Sequence, residues 1–278
     1  MKRKIWLITG ISSGLGKAFA QSVIEKGDFV IGTFRTQSQV EDFKKQHRDK
    51  GFAIKLDISN ETEIDKAVES IISKFGRIDV LVNNAGMGFA GAIEETSTQE
   101  VRQVFEVNFF GTLKLTQAVL PFMRQEKKGH IIQISSHAGI KASAGFGIYN
   151  ASKFALEGFS EAMAQEVTPL GIRVSIVEPG PFRTKFADKG KELEAEKVIL
   201  DYLETAGAFR NRLKGIDGKQ EGDPVKASQA IIDLVNSENP TLRLPLGKTA
   251  LMTIGMKLDS LKSDLEANRK TAENAVYE

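Results

Sequence analysis

The chain has 278 residues, 41% hydrophobic and 27% charged, which is ordinary for a globular protein and long enough for one large α/β domain. It has no cysteine, which excludes disulfide scaffolds, thiolate metal sites and cysteine nucleophiles, and its three histidines lack metal-ligand spacing, so we expect no metal. The 38 basic and 36 acidic residues are mixed, and no apolar run is long enough to cross a bilayer, so we expect a cytoplasmic protein without nucleic-acid or membrane partners.

Short apolar runs rich in Ile and Val alternate with longer segments whose apolar residues recur every three or four positions. This alternation predicts β-α units, hence a Rossmann-like, doubly wound, mainly parallel sheet of six or seven strands with helices on both faces. The predicted strands span 4–9, 29–33, 53–56, 80–83, 130–135 and 173–178, with a further candidate at an edge, 242–244. The predicted helices span 15–26, 38–46, 61–75, 98–124 and 149–170. We expect a single domain over 1–278, with its ligand crevice where the winding of the sheet reverses.

Two segments near the C-terminus do not fit the alternation of strands and helices. Residues from about 185 to 224 are first charged, with a helix expected at 189–205, and then rich in glycine. This composition favours a lid over the substrate site. Residues 248–268 again have helical spacing, so we expect a C-terminal helical tail over about 248–278, poorly ordered beyond Arg269.

A glycine-rich loop, TGISSGLG at 9–16, follows the first predicted strand and opens into a helix. Gly10, Gly14 and Gly16 allow a tight turn and a close approach of backbone N–H groups to a ligand. The helix N-terminus adds unpaired donors and a partial positive charge. The alternative is a plain β-α turn without a ligand, but the strand-loop-helix order favours a dinucleotide diphosphate site.

The end of the second strand indicates which dinucleotide binds. An enzyme specific for NAD carries a carboxylate there for the ribose 2′-hydroxyl, whereas this chain has Gly32, Thr33, Phe34 and Arg35. The guanidinium of Arg35 suits a 2′-phosphate, so NADP (NADPH) is expected and NAD is less favoured. The alternative for Arg35 is a solvated side chain at a strand end.

Tyr149 and Lys153 lie four residues apart at the start of a predicted helix, so their side chains share one face. A lysine cation close to a tyrosine favours the phenolate and lowers the pKa of the phenol, which suits proton transfer near neutral pH. The strand before them ends in Ser135 and Ser136, where parallel sheets place ligands. We expect the Ser136 hydroxyl to hold a carbonyl oxygen against Tyr149, while Ser135 only ends the strand.

In this order and spacing, the motifs resemble those of the short-chain dehydrogenase/reductase family from Lys4 to about Thr184. The resemblance implies that Tyr149 is the catalytic acid/base and that Ser136 orients the substrate carbonyl. It implies that Lys153 also holds the nicotinamide ribose and that Asn108, otherwise only an irregularity in a helix, anchors a water-mediated proton relay to Lys153. The expected cofactor contacts are Gly10, Ser12, Ser13, Gly14, Leu15, Gly16, Arg35, Asp57, Ile58, Asn84, Ala85, Gly86, Tyr149, Lys153, Pro179, Gly180, Phe182 and Thr184.

Small and apolar residues flank the expected site, so a hydrophobic ketone or aldehyde, or the corresponding alcohol, is the expected substrate. They include 87–90, 137–140, 144–146, Phe182 and Phe186. His137 is either a substrate contact or a solvated loop residue, and Lys141 leaves a charged substrate open. The alternative function is a non-catalytic NADP-binding sensor or scaffold. The apolar helices at 98–124 and 149–170 suit the interface of a homodimer or homotetramer, and the family resemblance points the same way.

Overall fold

The computed structural model describes residues 3–184, 194–216 and 218–277, and it contains a seven-stranded parallel sheet in the order β3-β2-β1-β4-β5-β6-β7. The strands are Ile5–Ile8 (β1), Phe29–Phe34 (β2), Gly51–Lys55 (β3), Val80–Asn83 (β4), Gly129–Ile134 (β5), Ile172–Pro179 (β6) and Arg243–Leu246 (β7). The predicted fold class is confirmed, and the candidate edge strand is present beside β6.

Helices cover both faces of the sheet because its strands are apolar on both sides. The helices are Gly14–Glu25 (α1), Gln37–Gln46 (α2), Glu61–Phe75 (α3), Thr98–Phe105 (α4), Gly111–Gln125 (α5), Gly147–Val167 (α6), Ala208–Gly215 (α7), Pro224–Asn236 (α8) and Lys248–Glu273 (α9). Along β1, Trp6 and Ile8 pack into one core with residues of α1, α2 and α8. Ile5 and Leu7 pack into the other with residues of α3, α5 and α6.

Two helix predictions need correction. The helix expected at 98–124 is divided, because a π-helical turn at Glu106–Phe110 separates α4 from α5. A π turn inserts one extra residue into the helix and redirects a side chain, and this turn carries Asn108. Helix α8 was not predicted, although its start has two recognisable signals: Asp223 caps the N-terminus by accepting from Val225 N, and Pro224 follows at the first position.

The two C-terminal segments differ in part from expectation. Of the helix expected at 189–205, residues 189–193 lie outside the described residues, Glu194 pairs with Ala90 as an isolated bridge, and Leu200–Tyr202 and Leu203–Gly207 form 3₁₀ and π turns. Of the lid expected at about 185–224, residues 185–193 lie outside the described residues. Helix α9 continues past Arg269 to Glu273, further than predicted.

The winding of the sheet reverses between β1 and its neighbour β4, since β2 and β3 continue on one side and β5 to β7 on the other. The loops after β1 and β4 therefore flank the crevice that such sheets use for ligands. Within the described ranges, no helix combines the length and apolar character needed to cross a bilayer.

Candidate active site

The loop between β1 and α1 has the backbone that its glycines were expected to allow. Gly10 and Gly14 have φ values of +68° and +59°, in the left-handed region that residues with a Cβ rarely adopt. A Cβ on Gly16 would collide with the side-chain amide of Asn84 and lie 2.6 Å from the carbonyl oxygen of Gly10. The loop is therefore held tightly against the end of β4.

The N-terminus of α1 is open toward the crevice. Ser13 is the N-cap in extended conformation, its own side chain does not cap this end, and no first-turn residue is acidic. The Ser12 and Ser13 side chains are exposed, whereas Leu15 packs against the core. These features fit a dinucleotide diphosphate, whose oxygens would accept hydrogen bonds from the backbone N–H groups of the first helical turn.

Asn84 and Ala85 connect the glycine loop to the end of β4. The Thr9 hydroxyl accepts from both Asn84 N and Ala85 N at 2.9 Å. The Asn84 amide donates to the Thr9 carbonyl at 2.8 Å and to the Gly10 carbonyl at 3.2 Å. The side-chain amide of Asn84 therefore braces the glycine loop against the end of β4.

The end of β2 presents a cation and two hydroxyls. Arg35 is exposed, and the Thr36 and Ser38 hydroxyls lie 3.2 Å apart at the start of α2. Asp57, after β3, accepts from both the N–H and the hydroxyl of Ser59, which holds the pKa of its carboxyl below the ordinary value, and Arg35 adds a smaller effect in the same direction. Ile58 beside Asp57 is buried. The set fits the adenosine half of a dinucleotide.

Tyr149, Lys153 and Ser136 converge at the carboxyl end of β5. Lys153 Nζ donates to the Ile134 carbonyl at 2.8 Å and lies 5.9 Å from the centroid of the Tyr149 ring. The Ser136 hydroxyl forms a hydrogen bond with the Tyr149 side chain. It also accepts from Ala138 N at 3.1 Å. The fold thus brings the three residues together at the edge of the sheet where the glycine loop begins.

The pKa of Tyr149 departs from the sequence-based expectation. Burial raises it to about 12, and the hydrogen bond from Ser136 offsets this only in part. Burial also lowers the pKa of Lys153 to about 8, against the smaller opposing effect of Glu157. Desolvation dominates because both side chains are enclosed, so the phenol keeps its proton at neutral pH.

The side chain of Asn108, in the π turn, borders Gly86 together with Lys153. Its side chain accepts from Met87 N at 2.8 Å and donates to the Met87 carbonyl and to the Ser152 hydroxyl. A Cβ added to Gly86 would lie 3.3 Å from Asn108 Oδ1 and 3.7 Å from Lys153 Nζ. The exposed Gly86 therefore leaves a gap that both side chains border. Ser152 was missed in the sequence, although it directly precedes Lys153.

A buried charged cluster next to Lys153 was also missed. Glu157 lies one helical turn beyond Lys153, and Arg243 Nε lies 3.4 Å from Glu157 Oε2 and 3.3 Å from Glu178 Oε1. Burial raises the pKa of Glu178 to about 7, with repulsion from Glu157 adding to the effect. The four-residue step from Lys153 could have pointed to Glu157, but nothing local in the sequence indicates its partners on β6 and β7.

Aromatic side chains border Tyr149. The Phe146 ring stacks on the Tyr149 ring with centroids 4.2 Å apart, and Phe209 of α7 lies 4.9 Å from Phe146. This agrees with the apolar lining expected at 144–146. Phe186, the other expected aromatic neighbour, lies outside the described residues.

A buried ion pair holds α7 to the connection after β4. Arg210 donates to both carboxylate oxygens of Glu95, at 2.7 and 3.2 Å, and the two side chains are 7% and 0% exposed. Glu95 also accepts from Ala92 N and Ile199 N. One carboxylate thereby fastens residues 199–210 beside the aromatic surface.

The loop after β6 lies between the ends of β5 and β7 and reaches the glycine loop. Gly180 N donates to the Leu246 carbonyl at 2.8 Å, and Phe182 pairs with Gly222. The Thr184 side chain lies 3.4 Å from where a Cβ on Gly14 would be. Pro179 is buried and its carbonyl accepts from Ser136 Oγ at 3.3 Å. Of the predicted cofactor residues in this loop, Pro179 therefore lies beside Ser136 and Thr184 beside Gly14.

His137 is half-buried rather than solvated. Its Nδ1 lies 3.0 Å from the Thr253 hydroxyl of α9, and burial holds the pKa of its imidazole below the ordinary value, with Arg212 and Lys141 adding to the effect. The residue beside Ser136 therefore anchors the start of the C-terminal helix.

Comparison with known proteins agrees with this geometry. A family model described as short chain dehydrogenase matches residues 4–195. The 3-ketodihydrosphingosine reductase of Bacteroides thetaiotaomicron is 42% identical over 249 residues, 89% of this chain and 89% of that protein. The NADPH-dependent 3-dehydrocapnine reductase of Ornithobacterium rhinotracheale is 36% identical over 228 residues, 80% of each. The crystal structure of a short-chain dehydrogenase from Streptomyces avermitilis superposes with a TM-score of 0.92 at 39% identity, covering 99% of this chain and 100% of that one.

Proposed function

Because the chain belongs to the short-chain dehydrogenase/reductase family of oxidoreductases, we propose that it uses NADP to interconvert a hydrophobic ketone or aldehyde and its alcohol, with Tyr149 as the acid/base. The observation that carries the proposal is the convergence of Tyr149, Ser136 and Lys153 at the strand ends, beside an open helix N-terminus. Such an arrangement combines a proton donor with a diphosphate site in one crevice.

Different residues around the crevice are proposed to hold the different parts of the cofactor. The backbone N–H groups at 12–16 would bind the diphosphate, Asp57 and Ile58 would border the adenine, and Arg35 would pair with the 2′-phosphate. Gly86, Lys153 and the 179–184 loop would hold the nicotinamide half. Bound there, NADPH would supply the hydride for the carbonyl carbon.

The proton then comes from the protein. Ser136 donates to the carbonyl oxygen and holds it near the phenol, which stabilises negative charge as it forms on that oxygen. Tyr149 transfers its proton to the oxygen, and the Lys153 cation lowers the cost of the phenolate that remains. Asn108 and Ser152 keep the relay around Lys153 in place. A pKa of about 12 leaves the phenol protonated at neutral pH, which suits reduction.

NADP is proposed over NAD on two grounds. Arg35 directly follows β2, where a carboxylate would bind a free ribose, and the Thr36 and Ser38 hydroxyls add phosphate donors at the start of α2. The relative from Ornithobacterium rhinotracheale is named as NADPH-dependent.

The aromatic surface of Phe146 and Phe209 supports a hydrophobic substrate, and two relatives are reductases of 3-ketodihydrosphingosine and 3-dehydrocapnine. We therefore propose that the substrate is a ketone with a long apolar chain. The test is steady-state reduction of a carbonyl panel, in which 3-ketodihydrosphingosine and aromatic ketones are compared with short, carboxylated and phosphorylated ketones, each with NADPH and NADH. We expect the highest kcat/KM for 3-ketodihydrosphingosine and the aromatic ketones with NADPH. Preference for the short, carboxylated or phosphorylated ketones would refute the substrate class, and preference for NADH would refute the cofactor.

A further inference from the structure

The ammonium group of Lys153 is enclosed by the protein. Lys153 is 5% exposed, and its Nζ donates to the Ile134 carbonyl at 2.8 Å. A carbonyl oxygen accepts a hydrogen bond but carries no full negative charge. Because a cation is costly to bury without a compensating anion, Lys153 depends on the carboxylates around it.

The carboxylate that acts on Lys153 through space belongs to Glu157. Glu157 lies four residues after Lys153 on α6, so the two side chains share one face of the helix. The Glu157 side chain is 6% exposed. A Cβ on Gly139 would lie 3.1 Å from Glu157 Cγ and 2.8 Å from Ser135 Oγ. Glu157 is therefore buried against the turn that follows Ser136.

Glu157 shares one guanidinium with two other carboxylates. Arg243 Nε lies 3.4 Å from Glu157 Oε2 and 3.3 Å from Glu178 Oε1. Its Nη2 lies 2.7 Å from Glu161 Oε2. One cation therefore faces three carboxylates, and Glu157 and Glu178 are the buried ones. The excess of negative charge lies beside Lys153, which is the second cation that acts on Glu157.

A purely structural role would make Glu157 redundant. Glu161 already ties α6 to β7 through the shorter contact with Arg243, 2.7 Å against 3.4 Å for Glu157. A second carboxylate buried on the same guanidinium adds a cost of desolvation, and burial raises the pKa of Glu157, while Ser135, Arg243 and Lys153 act in the opposite direction. The feature that separates Glu157 from Glu161 is its action on Lys153.

We propose that Glu157 is a positioning residue for the reaction, and that its carboxylate supplies the fixed negative charge that holds the ammonium of Lys153 beside Tyr149. This role rests on the proposed function, in which Lys153 is the cation that stabilises the phenolate left when Tyr149 gives up its proton. The described groups that face Lys153 are Tyr149 and Glu157 on α6, Asn108 on the π turn and the Ile134 carbonyl at the end of β5. Of these, Glu157 is the anion at neutral pH.

The first test is the pH profile of kcat/KM for reduction of an apolar ketone at saturating NADPH. Burial lowers the pKa of Lys153 to about 8, and the charge of Glu157 opposes this shift. In Glu157→Gln the alkaline loss of activity should therefore begin at least about half a pH unit lower than in the unaltered protein. Near pH 6, where Lys153 is protonated in both proteins, the two rates should converge.

Two carboxylates on the same guanidinium provide matched controls. Glu161→Gln removes a carboxylate that is 52% exposed, and Glu178→Gln removes one that is 2% exposed. Neither should move the alkaline limb to lower pH. Glu157→Asp keeps the charge, so it should keep the profile even if its contact with Arg243 loosens. A loss in Glu157→Gln by the same factor at every pH, or an equal shift in either control, would overturn the inference.

The second test does not depend on turnover. Lys153 is titrated by NMR in protein that contains isotopically labelled lysine, and its resonance is identified as the one absent from Lys153→Met. It should lose its proton at a lower pH in Glu157→Gln than in the unaltered protein or in Glu161→Gln. Equal titration in all three proteins would overturn the inference, whatever the activity. A Lys153 that responds to Glu157→Gln in a protein that reduces no carbonyl would instead refute the proposed function and leave the interaction between these two residues standing.

Discussion

The substitution Glu95→Gln tests how much the buried ion pair between Glu95 and Arg210 contributes to stability and function. The substitution keeps the shape of the side chain but removes the charge that faces the guanidinium of Arg210. It leaves that guanidinium, 7% exposed in the intact pair, without a counter-charge. We expect the free energy of unfolding to fall, and residues 199–210 to detach from the connection after β4.

The size of the effect follows from the pKa of Glu95, which hydrogen bonds from Arg210 lower from 4.5 to about 2. At roughly 1.4 kcal/mol per unit, the folded state prefers the charged carboxylate by about 3 kcal/mol. The amide of glutamine still accepts one backbone hydrogen bond, so the expected loss is about 2–3 kcal/mol, in keeping with the cost of breaking a buried pair. This stabilisation is complete above pH 4.5 and is lost as pH falls toward 2, so the difference should shrink by about 1 kcal/mol at pH 4.

Urea denaturation at pH 7 and pH 4 measures the stability, and steady-state kinetics measures the function. The KM for the carbonyl substrate should rise several-fold because Phe209 loses its support, while the Kd for NADPH stays the same. Lys214→Gln is the control, since it breaks an exposed pair with Glu194 on the same segment and should cost less than about 1 kcal/mol. Equal losses in the two variants, or a Glu95→Gln loss that does not change with pH, would refute the reasoning.

Two further predictions concern charge. Arg35→Asp should raise the KM for NADPH at least about tenfold and lower that for NADH, since a carboxylate repels the 2′-phosphate and binds a free ribose; an unchanged ratio of the two constants in initial-rate assays would contradict this. Burial raises the pKa of Glu178 from 4.5 to about 7, so the native state loses stability as pH rises between those values. The free energy of unfolding of Glu178→Gln, measured by urea denaturation, should therefore rise relative to that of the unaltered protein by up to about 3 kcal/mol between pH 5 and pH 8. A difference in stability that stays constant with pH would show that the carboxyl ionises normally.

Local patterns in the sequence identified most of the frame that positions the site. The strands can be recognised in the sequence because each is short, apolar on both faces and bounded by turn residues. The glycine loop can be recognised because its residues are consecutive. Tyr149 and Lys153 were paired by the helical repeat alone. Each of these features depends on neighbours in the chain, which is why they could be found without a structure.

Features built from distant segments were not found in this way. Asn108 reaches Met87 and Ser152 because a π turn redirects it, and no spacing rule marks such a turn. The cluster of Glu157, Glu178 and Arg243 joins α6, β6 and β7, and each member alone looks like a surface charge. The pKa of Tyr149 was expected to fall because the sequence shows the nearby lysine but not the burial, which has the larger effect.

The most direct test of the proposed chemistry is Tyr149→Phe, measured for both binding and turnover. NADPH binding, followed by the fluorescence of the reduced nicotinamide, should remain within a few-fold of the unaltered protein, because the residues proposed to hold the diphosphate, the adenine and the 2′-phosphate are unchanged. The kcat for reduction of an apolar ketone should fall by about two to four orders of magnitude, the usual contribution of a positioned acid. A variant that still reduces the ketone at a comparable rate would contradict the assignment of Tyr149 as the proton donor.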